Sequence, residues 1–451
     1  SAASDVYKRQ YLDLAQYFID ARGTGENYFL QEISRGDSGN IFPELSDYRP
    51  EYSQSDKPVR EQKAAEGHAV RAVYMYSAMA DLAYEYQDEE LMAACKRLWN
   101  NIVQRQMYIT GGIGASGILE RFTVDYDLPN DCNYAESCAS IGLAMFGIRM
   151  ANITKDASYI DTVERALYNT VLAGIALDGK SFFYVNPLEV WPDNCMERTS
   201  KEHVKPTRQK WFGVACCPPN IARTLASMGQ YIYSVGETAL YVHLFISNEV
   251  CIEMETGEVK VSLETKFPFE NLVRIKVSHV PDGGMTLAVR IPEYAGMYQM
   301  TAKGQLLEYK EEKGYAYLAL AQDADISISF EAPAKFVRAN PKVRADCGKT
   351  AVVKGPLVYC LEEIDNGKNL AELYVDTEKE IQEVPSELFG GITELVLQGK
   401  RMEESAWDEK VLYGEHPVKL SDVTLKAIPY AYWNNRGMGE MAVWVKELIS
   451  G

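Results

Sequence analysis

Trp211-Phe212-Gly213-Val214-Ala215-Cys216-Cys217-Pro218-Pro219-Asn220 runs straight into a helical apolar pattern at Ile221, Leu225, Met228 and Ile232. Just past that pattern, near residue 236, the apolar period drops from about 3.6 to about 2, so helices are expected before this point and strands after it. Prolines suit the first turn of a helix, and Pro218 disfavours a helical Cys217, so both sulfurs should sit at a helix N-terminus. Unpaired N–H groups and the helix dipole favour a thiolate there, available to a metal or an electrophile. A free cysteine is also often a small buried hydrophobe, so packing and chemistry both stand as readings of the pair.

Upstream, Tyr11 to Ala21 reads as a short helix, followed by a polar loop rich in Gly and Asp that runs to about residue 62. His68 to Tyr86 is apolar nearly all round, as expected of a helix buried on both sides, whereas Leu91, Ala94, Leu98 and Ile102 form one stripe of an amphipathic outer helix. The alternation repeats with Ser137 to Met150 inside and Tyr159 to Ile175 outside, and Asn220 to Ser234 closes the series. Three such hairpins suggest a helical toroid. Downstream, Val259/Val261/Leu263, Val273/Ile275/Val277, Leu287/Val289/Ile291 and Ile326/Ile328/Phe330 alternate with polar residues, a sheet sandwich, and a second all-β stretch begins near Ala339. The expected domains are therefore 1–235, helical, 236–337, a β-sandwich, and 338–451, a second β-sandwich.

A formal charge of -18 argues against nucleic acid or an anionic membrane as partner, because a phosphate-tracking surface needs a basic stripe that the sequence lacks. No apolar run of about 18 residues appears. Nine cysteines, at 95, 132, 138, 195, 216, 217, 251, 347 and 360, are odd in number and widely spread, which favours reduced thiols and a cytoplasmic setting over a disulfide framework. The opening Ser1 to Gln10 reads as an appended remnant, with the native start lying upstream.

The Gly-rich stretch 111–117 follows no strand and precedes no Lys-Ser/Thr pair, so it reads as a flexible active-site loop and not as a phosphate loop. Glu136 and Cys138 would lie about 200° apart on a regular helix, so they can share a metal only if the helix has not yet begun at Glu136. With Cys216 and Cys217 they make a set of three sulfurs and one oxygen, which suits zinc better than calcium or magnesium. Buried thiols without a metal fit the spacing equally, and a strained vicinal disulfide is a third reading. Glu120, just after the Gly-rich loop, stands where a general acid could reach a substrate, and His68 could donate to a sugar hydroxyl. A solvated glutamate and a satisfied core histidine are the ordinary alternatives. His243 reads as structural, and His203, His279 and His416 as peripheral.

Seven segments occur together in order: Glu66-Gly67-His68-Ala69-Val70-Arg71-Ala72, Tyr126 to Asp131, Ala135-Glu136-Ser137-Cys138-Ala139, Glu164 to Asn169, Cys216-Cys217-Pro218-Pro219-Asn220, Gly355 to Tyr359 and Asn435-Arg436-Gly437. From about residue 60 to its end the sequence resembles glycoside hydrolase family 127, the β-L-arabinofuranosidases. The resemblance implies an (α/α)6 barrel, here only its C-terminal half, followed by two β-sandwich domains. It further implies an exo-acting retaining hydrolase that removes terminal β-L-arabinofuranose from an arabinofuranose-containing oligosaccharide or glycoconjugate. By position, Glu136, Cys138, Cys216 and Cys217 match the zinc ligands, Cys216 the nucleophile and Glu120 the acid/base. His68 and Tyr184 match sugar-contacting positions, and Glu164 is a further candidate of that kind. Family members carry on the order of 200 more residues before the segment matching His68, enough for the other half of the barrel. The chain alone is therefore expected to form an open half-toroid with an exposed apolar side on the His68 to Tyr86 helix, to self-associate or recruit a partner, and to be inactive. Two rivals differ in class. One is a carbohydrate-binding or structural protein with a structural zinc site, and the other an epimerase or lyase worked by histidines.

Overall fold

The computed structural model describes residues 2–36, 48–236, 238–405, 407 and 410–448. Residues 37–47, within the stretch read as a polar loop, lie outside the described residues. The helical part comprises α1 (Ala2–Ala21), α2 (Tyr28–Arg35), α3 (Ala69–Glu85), α4 (Glu89–Asn101), α5 (Ser137–Thr154), α6 (Ser158–Ala166) and α7 (Cys217–Ala226). Two of these correct the sequence reading. The first helix begins at Ala2 and not at Tyr11, and α2 lies inside the expected loop, capped by the Asn27 side chain, which accepts from the N–H groups of Phe29 and Leu30. None of its residues is buried, so burial pattern could not have announced it.

α3 and α5 are the inner helices, and α4 and α6 lie outside them. Val73, Tyr76, Leu98, Phe146 and Ile160 are fully buried in one shared core, where the Trp99 and Phe146 rings meet edge to face at 5.3 Å. Each such side chain contributes roughly 1.5–3 kcal/mol by leaving water. α4 starts where Asp88 accepts from the Leu91 N–H at 2.8 Å, with Glu89 and Glu90 in its first turn, as the dipole favours. Both outer helices run on into a π-turn, Ile102–Gln106 and Leu167–Val171, and the second stays helical to residue 173, close to the expected Tyr159 to Ile175. The last helix likewise breaks at Ser227, resumes over Gly229–Ile232 and hands over to a strand at Tyr233, short of the expected Ser234.

The expected bare apolar side of the His68 to Tyr86 helix is not what the structure presents. The exposed residues of α3 are Arg71, Asp81, Tyr84 and Glu85, because α5 covers one flank and a pocket takes up Val70 and Tyr74. Exposed apolar side chains gather instead on α1 and α2, among them Tyr11, Leu14, Phe18 and Phe29.

Beyond Ile232 two sheets face each other. One orders its strands 310–312, 315–320, 285–290, 239–242, 233–235, and the other 248–254, 257–265, 272–278, 324–330, 298–302, 305–306. Val259, Val261 and Leu263 point inward against Leu240, Val242, Leu287 and Val289 of the facing sheet, which is the period of 2 made physical. Among the described residues the remaining strands form one ten-stranded sheet, where a second two-sheet sandwich was expected. Its pairings run in a ring from 357–362 through 420–429, 392–402, 373–375, 445–447 and 349–354 and back to 357–362. Closure removes edges, and Tyr359, Leu373, Leu395 and Leu425 fill the inside.

This sheet also braces the helical part. Glu189 and Val190 pair with Ala442 and Met441, Phe183 stacks flat on Trp433 at 4.7 Å, and the Arg208 guanidinium donates to Ala173 O and Trp433 O. Loop 173–208, which carries Tyr184, is thereby held from the C-terminal side.

Candidate active site

Ala135 adopts φ 41, and the strained turn it makes delivers Glu136 in an extended conformation, φ -60 and ψ 138, immediately before α5 begins at Ser137. The condition for Glu136 and Cys138 to converge is therefore met. Asn186, fully buried, donates to Ala135 O at 2.9 Å and to Ser137 Oγ at 3.1 Å, gripping the chain on both sides of Glu136. Cys216 is the residue preceding α7 and Cys217 its first residue, with Pro218 and Pro219 behind. The sulfurs do lie at a helix N-terminus, although Cys217 is helical despite the proline that follows it.

One ligand atom from each of Glu136, Cys138, Cys216 and Cys217 falls within 4.8 Å of the others. Cys138 Sγ lies 3.7 Å from Cys217 Sγ, Cys216 Sγ 3.9 Å from Cys217 Sγ, and Glu136 Oε1 3.1 Å from Cys216 Sγ. Sulfurs at the corners of a zinc tetrahedron, with bonds of about 2.3 Å, stand about 3.8 Å apart. A disulfide needs about 2.05 Å, which removes the vicinal pairing. Charge points the same way. Burial drives the Glu136 carboxyl well above its usual range, and Cys138 and Cys217 are driven up mainly by hydrogen bonds within the sulfur set. Hydrogen bonds from Cys138 and Cys217, joined by Tyr184, drive Cys216 far down. Four acidic groups packed this tightly hold their charge together only around a cation, and the buried Glu136 Oε2 has no hydrogen-bond partner among the described residues. The cluster can hold a metal ion.

A cavity of about 470 Å³ opens over this cluster, with Cys216, Tyr184, His68, Glu120 and Arg223 in its wall. Tyr184, set by the Ser137 N–H donating to its carbonyl, brings its hydroxyl to 2.8 Å from Cys216 Sγ. His68 caps α3: its Nδ1 accepts from the Arg71 N–H at 3.4 Å, which leaves the Nε2 proton for Glu120 Oε2 at 2.8 Å. Tyr134 donates to the other oxygen, Oε1, at 2.7 Å. Burial raises the Glu120 pKa, but these two bonds outweigh it and the net shift is downward. Leu119 at φ 61 and Glu120 at φ 52 are both left-handed, a strain that fixed neighbours must hold.

The Gly-rich loop packs beside them, with residues 111–115 buried and 116 and 117 half-buried. A Cβ at Gly111 would lie 2.5 Å from Ala166 Cα, and one at Gly117 would lie 2.5 Å from His203 Nδ1. His203, expected to be peripheral, packs against Tyr134 with ring centroids 5.8 Å apart.

Glu164 is corrected. It is fully buried between the helical part and the sandwich, ion-paired with Arg290 and accepting from Tyr294, and it does not line the pocket. Sequence reasoning missed Tyr134, Asn186 and the Tyr74–Asn220–Arg223 group, whose side chains are mutually hydrogen-bonded in the pocket wall. The available signal was proximity: Tyr134 and Asn186 each lie two residues from a chosen position. His243, read as structural, is buried and bonded to Tyr315 and Ser234.

Residues 4–230 match the family profile described as "Beta-L-arabinofuranosidase, GH127 catalytic domain", 239–333 that of the family's middle domain and 334–446 that of its C-terminal domain. The non-reducing end β-L-arabinofuranosidase of Bifidobacterium longum subsp. longum is 38% identical, over 97% of this chain and 68% of that protein. A crystal structure of a family 127 β-L-arabinofuranosidase from Geobacillus stearothermophilus T6 superposes with a TM-score of 0.91 at 47% identity, over 97% of this chain and 69% of that one. A second solved family 127 β-arabinofuranosidase gives 0.83 at 33% identity, over 98% and 66%.

Proposed function

The chain belongs to glycoside hydrolase family 127, and from that membership we propose that it is a retaining exo-glycosidase that removes terminal β-L-arabinofuranose, with Cys216 as nucleophile and Glu120 as acid/base. The observation that carries this reading is that one pocket holds both an exposed, acidified sulfur and a carboxylate with two aimed donors. Retaining glycosidases ordinarily use two carboxylates, and here a thiolate stands in for one.

In the first half-reaction Cys216 Sγ attacks the anomeric carbon. The C–S bond forms as the glycosidic C–O bond breaks, and Glu120 gives its proton to the departing oxygen. In the second, Glu120 takes a proton from water, the water oxygen attacks the same carbon, and the C–S bond breaks to restore the thiolate. Two inversions return the original configuration. The downward shift of Glu120 suits the base half. For the acid half, a sugar closing the pocket excludes water and moves the carboxyl upward. Tyr184 donates to the sulfur and orients it, and His68 and Tyr134 hold the carboxylate.

Glu136, Cys138, Cys216 and Cys217 are read as zinc ligands, since three sulfurs with one oxygen suit that ion, which would keep the sulfurs ionised at neutral pH. The helical region is read as half of an (α/α)6 barrel, supported by the alternation of buried α3 and α5 with amphipathic α4 and α6. The profile ranges support division near residues 235 and 337.

The expectation of inactivity was tied to an exposed apolar side on the His68 to Tyr86 helix, which the structure does not present, so the test is hydrolysis of an aryl β-L-arabinofuranoside by the zinc-replete chain, followed by NMR. The expected first product is the β-anomer of arabinose. No release, or first appearance of the α-anomer, would overturn the proposal.

A further inference from the structure

Asn220 lies on α7 one turn beyond Cys216, with its N–H bonded to Cys216 O at 3.2 Å and only 7% of the residue exposed. Arg223 Nε donates to Asn220 Oδ1 at 2.6 Å, and Arg223 Nη2 donates to the Tyr74 hydroxyl, also at 2.6 Å. An Nε–H can meet only the oxygen of an amide, so Arg223 decides which way the Asn220 amide faces. Its two Nδ2 hydrogens are thereby turned away from the guanidinium. Nδ2 donates to the Tyr74 hydroxyl at 3.0 Å, and Asn220 also bonds the Cys138 sulfur, where it favours the ionised form, as a donor does. A reversed amide would set oxygen lone pairs against that sulfur. Among the described residues lining the pocket, Arg223 carries the one permanent positive charge, and this amide links it to the sulfur set.

We propose that Asn220, oriented by Arg223, is a positioning residue for the sulfur set: it holds Cys138 as the sulfur that stays on the metal and leaves Cys216 as the one free to bond carbon. The inference rests on the zinc and glycosidase readings above. Four anionic ligands around one divalent ion leave negative charge in excess, and the guanidinium one amide away offsets it. An N–H bond to a metal-held thiolate draws charge off the sulfur and fixes its lone pairs, and partners of this kind are worth about 10–100-fold in metal affinity. Cys216 takes its donor from the Tyr184 hydroxyl at 2.8 Å, a group that can rotate away as carbon arrives. The Asn220 amide has no such freedom, because Arg223 and Tyr74 hold both its ends.

The variants that test this are Asn220→Ala and Arg223→Met, neither of which removes a metal ligand. Zinc affinity is read by competition with a chromophoric chelator, and the sulfur environment by the sulfur-to-metal absorption bands after cobalt substitution. We expect both variants to lose about 10–100-fold in zinc affinity and to shift the cobalt bands, with the melting temperature of the metal-free chain unchanged. Arg223→Lys, which still offers a donor to Oδ1, should lie closer to wild type. With an aryl β-L-arabinofuranoside, Asn220→Ala should lower kcat and leave KM within about twofold. Wild-type affinity and unmoved bands in both variants overturn the role, whether or not the glycoside is cleaved. A rise in KM with zinc affinity unchanged overturns it as well, since Asn220 would then be a sugar contact. Weakened affinity and shifted bands in a chain that cleaves no glycoside uphold the hold on Cys138 and remove the glycosidase reading instead. Should Asn220→Ala not fold, Arg223→Met decides alone, because Arg223 is exposed.

Discussion

The Tyr134 hydroxyl donates to Glu120 Oε1 at 2.7 Å, and Tyr134 stands two residues before Glu136. One short turn thus ties the carboxylate on one side of the pocket to the cluster of Glu136, Cys138, Cys216 and Cys217 on the other. Tyr134 is itself clamped edge-on against Tyr184 at 6.0 Å and against His203. Replacing it with phenylalanine keeps the packing and removes one donor from the Glu120 carboxylate. A hydrogen bond to a charged group is worth about 1.5–3 kcal/mol, so Tyr134→Phe should cost on the order of 10–100-fold in kcat/KM. It also has a signed pH signature. The lost donor favoured the ionised form, so the Glu120 pKa rises and the alkaline limb of kcat/KM, which reports loss of the acid's proton, moves to higher pH. A pH–rate profile with an unmoved limb would separate Tyr134 from Glu120.

Cys216→Ser should abolish measurable turnover, because the serine hydroxyl lacks the acidity that the sulfur draws from Cys138, Cys217 and Tyr184. Glu120→Gln should lower turnover about 10²–10⁴-fold on substrates with poor leaving groups and far less on activated aryl glycosides. Steady-state rates on a leaving-group series check both variants. Equal losses across the series would take the acid role from Glu120.

Elemental analysis should find about one zinc per folded chain, and chelation should lower the melting temperature, because metal-binding energy is folding energy where ligands converge from separate segments. Cys138 and Cys217 come from α5 and α7, so a bound metal would clamp two helices together. Cys138→Ala should lose both the zinc and the chelator sensitivity. Calorimetric scans with and without chelator decide the matter, and identical scans on a zinc-containing sample would show that the metal adds nothing to folding.

Arg290→Leu should destabilise the chain by about 3–5 kcal/mol, since it strands Glu164 and Asp161 as buried charges without their partner. Glu164→Gln should act on stability in the same direction and leave KM for the aryl glycoside within about twofold of wild type. Denaturant unfolding and initial rates measure the two effects. A large rise in KM without loss of stability would return Glu164 to the sugar site.

Much of the site was legible because its residues announce themselves locally. Adjacent thiols before a proline pair, and a carboxylate two residues from a thiol at a helix start, restrict where side chains can point whatever the rest of the chain does. Glu164 shows the opposite case. Glu164-Arg165-Ala166-Leu167-Tyr168-Asn169 reads like a site motif, yet the partner that claims its carboxylate, Arg290, lies 126 residues away on a strand of another layer. Tyr134 and His203 were passed over for a related reason: an aromatic hydroxyl or an imidazole becomes functional through what it touches, and touching is not written in spacing.

By itself the sequence determined where helix yields to strand near residue 236, which helices are inner and which outer, and that Glu136, Cys138, Cys216 and Cys217 could converge. Those follow from periodicity and backbone chemistry, which act over a few residues. Tertiary structure alone decided that the C-terminal strands close into one ring, that the Gly-rich loop is buried over residues 111–115, and that Glu120 receives donors from both His68 and Tyr134. Each depends on contacts between segments tens to hundreds of residues apart, and such contacts are chosen by the packing of the whole chain, not by any stretch of it.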